Sequence, residues 1–175
     1  MKKLVLAAAI VLAATAALAQ SAAEKAGVNS LLGVSPSTED FVKKAATGDL
    51  FEIAVSKLAI ERADPATKSF AEEMVRDHER IGSELKQMVE NQAINAVVPA
   101  EMTESQKETI AELQEMRGQD FNDRYHSEQV KAHADAVDLF QRYSEKGEHT
   151  AIKTWAANTL PVLRHHLDMA KELNE

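Results

Sequence analysis

Apolar residues recur every three or four positions along most of this chain. The clearest run is Phe70, Met74, His78, Ile81, Leu85 and Met88, the spacing of one face of an α-helix. It predicts a helix over about 66–91. An earlier helix over about 38–63 turns Phe41, Val42, Ala45, Ile53, Ala59, Ile60 and Ala63 inward. Ser37 or Thr38 caps it, and Glu39 and Asp40 in its first turn complement the dipole. Asp64-Pro65 separates the two, because the residue before proline avoids the α region. A new start signal stands at Thr103, with Gln106 as capping-box partner. The helical pattern then continues to Lys146, and Gly118 divides it into a lead segment over 104–117 and a helix over 119–146. That helix faces inward with Phe121, Tyr125, Gln129, Ala132, Ala136, Phe140 and Tyr143, and Gly147 ends it. The last helix, over about 149–173, presents Ile152, Trp155, Thr159, Val162, His166, Ala170 and Leu173, with Pro161 predicted to kink it. Four amphipathic helices in two hairpins predict an all-α, up-down four-helix bundle over 38–173, with a short extra helix before the third.

The first residues do not fit this pattern. Lys2 and Lys3 precede an apolar run from Leu4 to Leu18 that is short for a membrane span, and Ala17-Leu18-Ala19 is a small-x-small cleavage pattern. Residues 1–19 therefore read as a signal peptide cleaved after Ala19, and the protein as periplasmic with no membrane span after cleavage. Residues 20–37 are small and polar and read as a flexible leader, with one short helical turn near Val28–Leu32. Loss of the two leader lysines takes the net charge from −8 to −10. Such a chain is a poor match for nucleic acid. The absence of cysteine excludes thiolate metal sites, disulfides and cysteine nucleophiles.

Each inward face carries one polar candidate: Glu52, His78, His133 and His166. His78 lies about 25° and His166 about 15° from the centre of its apolar arc, while His133 is on a flank, about 50–80° off. Counted from the hairpin turns, Glu52 and His78 fall at one level, and His133 and His166 fall within one turn of each other. The register between the hairpins is not fixed by this count. If the levels coincide, a carboxylate and three imidazoles converge on one Zn, Cu or Fe ion, with Asp77, Gln129 and Tyr125, and also Asp49 and Ser56, as supporting partners. Asp77 reads as the charge partner of His78 beside it, and His126 and His165 as surface residues. The diiron pattern Glu-x-x-His is absent at all three histidines, where Val75, Val130 and Leu163 precede by three. The phosphate-loop, dinucleotide and serine-elbow motifs are absent as well, so no catalytic residue is assigned.

The ordered set Phe41-Val42, Gly48-x-x-x-Glu52, Asp64-Pro65, Lys68-x-Phe70-Ala71-x-x-Met74, Asp77-His78, Gly118-x-x-Phe121, Tyr125-x-x-x-Gln129-x-x-x-His133 and Leu160-Pro161-x-Leu163-x-x-His166-Leu167 resembles an exported bacterial family, domain of unknown function 4142. Asn122 departs from it, standing where the family usually has aspartate. The resemblance implies a ferritin-like four-helix bundle in the cell envelope and no established reaction. Two roles follow for the chain. One is a metal-handling or stress-related bundle with a transition-metal or small-ligand site at its middle. The alternative is a metal-free structural or interaction module, pairing as a homodimer or with an envelope partner through the apolar outer stripe Phe51, Ala54 and Leu58, unless the lead segment 104–117 or the leader folds over that stripe.

Overall fold

A computed structural model describes residues 20–22, 24, 26–91 and 94–175. The signal-peptide reading of 1–19 lies outside the described residues. Within them the chain is all-α: α1 (Val28–Leu31), α2 (Thr38–Arg62), α3 (Pro65–Asn91), α4 (Glu104–Glu115), α5 (Gly118–Lys146) and α6 (Thr150–Leu173). The helix starts follow the chemistry expected of them. Ser37 Oγ accepts from the Asp40 amide at 3.1 Å, and Asp64 Oδ1 accepts from the amides of Ala66 and Thr67 at the head of α3. Thr103 and Gln106 form a reciprocal capping box. Gly118 has φ +59°, a left-handed conformation that suits glycine and breaks α4 from α5.

α2 packs on α3 and α5 on α6 as two hairpins, which meet along α2–α5 and α3–α6. The bundle has two apolar clusters. At one end Phe41, Ile81, Leu85, Phe140, Tyr143 and Trp155 pack together. At the other end are Phe51, Val55, Phe70, Met74, Phe121 and Tyr125. Between them, on all four long helices, lies a buried polar layer: Asp49 and Glu52 on α2, His78 on α3, Gln129 and His133 on α5, and His166 on α6. The two apolar clusters on either side set the register between the hairpins, because each helix must place its own gap in apolar residues at the same height.

Three expectations change. The stripe of Phe51, Ala54 and Leu58 is not an open docking surface. Phe51 and Leu58 are buried, and Leu113 of α4 packs into the same cluster, with Ile110 and Met116 against it. α4 lies across α2 because its own apolar residues need cover, so the lead segment folds over Phe51 and Leu58 while Ala54 stays half-buried. The leader carries specific contacts. Glu24 is buried between Lys44 Nζ (2.7 Å) and the Arg142 guanidinium (3.1 and 3.2 Å). Arg142 also donates to the Val34 carbonyl, and Ser21 to Asp40. Finally, His126 is buried rather than on the surface, with its Nε2 2.8 Å from Thr67 Oγ1, while His165 is exposed as expected.

Candidate metal centre

Three of the four residues picked from the sequence converge. His78, His133 and His166 are 3%, 1% and 0% exposed. Each offers a nitrogen, and the three nitrogens lie within 4.8 Å of one another. The rings stand 5.4–5.6 Å apart between centroids. His133 is fully buried although its sequence position put it on a flank. α5 packs against both α6 and α2, which widens its buried arc.

The remote nitrogen of each ring is tied down by a neighbour. His133 Nδ1 is 2.9 Å from the backbone carbonyl of Gln129, one turn earlier. A carbonyl only accepts, so Nδ1 carries the proton and Nε2 presents a lone pair to the cluster. His166 Nε2 is 2.9 Å from Asp77 Oδ2. Burial alone would raise Asp77, but the hydrogen bond from His166 and the Arg80 guanidinium outweigh it and hold Asp77 below the ordinary carboxylate range. Asp77 is thus an acceptor. His166 Nδ1 then faces inward as a bare lone pair, buried and without a partner. Asp77 therefore serves the histidine across the helix interface and not His78 beside it, because successive helical residues point about 100° apart.

His78 Nδ1 is 2.8 Å from Asp49 Oδ1, and its Nε2 is 3.4 Å from His133 Nε2. Burial pushes Asp49 well above the usual carboxylate range. Asp49 Oδ1 and His78 Nδ1 share one hydrogen bond, and His78 Nε2 stands opposite His133 Nε2. Burial also lowers His78 and His166 to about 4, so both imidazoles stay neutral at neutral pH. For His78 the nearby Glu52 charge opposes that shift. For His166 the opposing group is Asp77. The cluster thus brings three imidazole nitrogens together, those of His78 and His133 in contact with each other and that of His166 with no partner.

Glu52 stands beside this group and not within it. Its Oε2 accepts from Gln129 Nε2 at 2.7 Å, and its Oε1 is buried with no partner, as are Asp49 Oδ2 and Gln129 Oε1. Tyr125 lies farther off, its hydroxyl 3.1 Å from that of Ser56 in the apolar cluster below. A cleft of about 670 Å³ between α2 and α5 reaches Asp49, Glu52, His78 and His133. The sequence pattern did not single out Glu73. It lies one turn before Asp77 on α3, and only the i, i+4 spacing to that aspartate signals it.

A metal ion fits this chemistry. Two nitrogens bound tetrahedrally at about 2.1 Å to one ion are about 3.4 Å apart, the separation found for His78 and His133. All the unpartnered side-chain atoms of the layer are acceptors, which is the deficit a cation fills.

Among solved structures the chain resembles CopM in its Cu(II)-bound form. The TM-score is 0.66 at 17% identity, covering 81% of this chain and 97% of that chain. At that identity the likeness is one of fold. No curated protein matches the chain. The family model described as Domain of unknown function (DUF4142) matches residues 17–173, and the chain belongs to that family.

Proposed function

We propose that the protein binds one divalent transition-metal ion at mid-bundle through His78, His133 and His166, and serves in metal handling or stress tolerance in the cell envelope. The observation that carries this reading is the fixed direction of the three rings. A histidine kept only for packing satisfies both nitrogens, whereas His166 Nδ1 is buried with no partner, and the Nε2 atoms of His78 and His133 have only each other, at 3.4 Å. Asp49, Asp77 and the Gln129 carbonyl orient the rings from behind, as outer partners of metal-bound histidines do. Glu52, with one free buried oxygen, is the fourth ligand, reached by a rotation of its carboxylate toward the imidazoles. The ion supplies positive charge and Lewis acidity to the layer. Imidazole serves zinc, copper and iron alike; the copper-bound state of the structural neighbour favours copper among them. The signal-like residues 1–19 support export, and no described helix is long and apolar enough to cross a membrane.

The test is elemental analysis of mature, untagged protein beside His78→Ala, with helicity followed by circular dichroism. One equivalent of zinc, copper or iron, lost in the variant while helicity persists, is the expected result. No metal in either protein, even after incubation with each ion, overturns the reading and leaves the layer as a hydrogen-bonded polar core.

A further inference from the structure

His166 faces two ways. Its Nδ1 points to the three-histidine centre, and its Nε2 belongs to a second group of potential ligands, Glu73, Asp77 and His166, whose donor atoms also lie within 4.8 Å of one another. Glu73 and Asp77 are half-buried at the outer edge of the α3–α6 seam. Asp77 keeps Oδ2 on His166 and Oδ1 3.4 Å from Arg80 Nη2. Glu73 takes part in no ion pair among the described residues. This is a two-carboxylate, one-imidazole donor set reachable from solvent, backed by a ring that is itself fully buried.

We propose that Glu73, Asp77 and His166 Nε2 form an outer loading site that hands a divalent metal ion to the inner centre through the shared ring. The inference rests on the inner-site reading above. A neutral imidazole has one ring proton. With that proton on Nε2 the ring gives Asp77 a hydrogen bond and presents Nδ1 inward. With the proton on Nδ1 the ring presents Nε2 outward to Glu73 and Asp77. The two sites therefore use His166 one at a time, and moving one proton across the ring switches the ion from the outer position to the inner one. The borderline mix of oxygen and nitrogen donors suits first-row divalent ions, and the nitrogen-rich inner set binds them more tightly.

The experiment has two arms. In the first, metal-free protein is mixed with Co²⁺ in a stopped-flow instrument and the visible band of the loaded centre is followed. Glu73→Gln keeps all three inner imidazoles and removes only a carboxylate charge near His166. It is expected to slow loading about tenfold, the size of effect that loss of an outer partner has on metal-site activity, with one Co²⁺ still bound per chain at saturation. In the second, Mn²⁺, which prefers carboxylates, is added, and NMR line broadening is mapped in wild type and Glu73→Gln. Broadening centred on residues 73–77 and lost in the variant is expected. Loading of Glu73→Gln at the wild-type rate would show that the ion enters by the α2–α5 cleft instead and overturn the proposal. Mn²⁺ broadening absent from residues 73–77 also overturns it. If wild type takes up no Co²⁺ at all, the inner-site reading fails, and the Mn²⁺ arm still decides whether the outer site exists.

Discussion

Protonation of His166 should cost the metal-free protein much of its acid stability. The ring is fully buried, and burial lowers it from 6.5 to about 4. The unfolded chain binds a proton near 6.5, while the folded chain refuses it until about 4. The stability that the neutral ring preserves is complete above pH 6.5, falls as the pH drops, and is gone below about 4. Each pH unit between the unfolded and folded values is worth about 1.4 kcal/mol. At pH 5 the expected loss is therefore about 2 kcal/mol relative to pH 8, rising to about 3 kcal/mol below pH 4. The assay is urea unfolding at pH 8 and pH 5 in the presence of chelator, for wild type and His166→Gln. Glutamine fills a similar volume and does not titrate. The variant should lose about 2 kcal/mol less than wild type between the two pH values. His165→Gln, one residue away and exposed, should behave as wild type. Equal losses in wild type and His166→Gln would refute the reasoning, because they would mean that His166 is already charged in the fold and no lone pair faces the cluster.

Other outcomes follow from the same contacts. Asp77→Ala removes the acceptor that fixes His166, and metal affinity measured by competition with a chelating dye should fall 10- to 100-fold, about the range for such outer partners. Leu113→Ala should destabilise the fold by about 3 kcal/mol in urea, since Leu113 is fully buried in the cluster that covers Phe51 and Leu58; a near-zero effect would show that α4 is not a fixed part of the bundle. Arg142→Gln leaves buried Glu24 with Lys44 as its one remaining cation and should cost about 3 kcal/mol by the same measurement. Burial alone would raise Glu24, but the Arg142 and Lys44 hydrogen bonds prevail and lower it below 4.5. Its contribution is therefore present above pH 4.5 and lost on acidification, so Arg142→Gln should flatten that part of the stability curve.

The long helices were legible because their signals are local. A stripe of Phe70, Met74, Ile81 and Leu85, a capping box at Thr103 and a glycine at 118 each act over a few residues. The cover over Phe51 and Leu58 was less so. Periodicity exposes an unpartnered face and names candidates to cover it, but α4 and a second chain offer the same chemistry. The leader's contacts were illegible for a different reason. Its anchoring depends on one glutamate meeting an arginine at a sequence separation of 118, and composition carries no trace of that.

The candidate centre shows the same division more sharply. Angles around each helix single out Glu52, His78 and His166, but the height of one hairpin against the other decides whether they meet. That height is encoded after all, in where the apolar stripes are interrupted. Phe41 to Ala46 and Phe51 to Ala59 leave a gap at 47–50 on α2. Met74 and Ile81 leave one at His78. Tyr125 and Leu139 bracket Gln129 and His133. Leu163 and Ala170 bracket His166. Sliding one hairpin by a turn, about 5.4 Å, would set polar groups of one against apolar residues of the other and leave carboxylates and imidazoles buried without partners. Each such group costs on the order of 1–3 kcal/mol. Several together exceed what repacked apolar contacts return, so the polar layer selects its own alignment. The residues that would hold the ion are then also the residues that fix the register of the bundle, and a variant that loses the metal by removing His78 should be judged by whether the two apolar clusters still close around the gap it leaves.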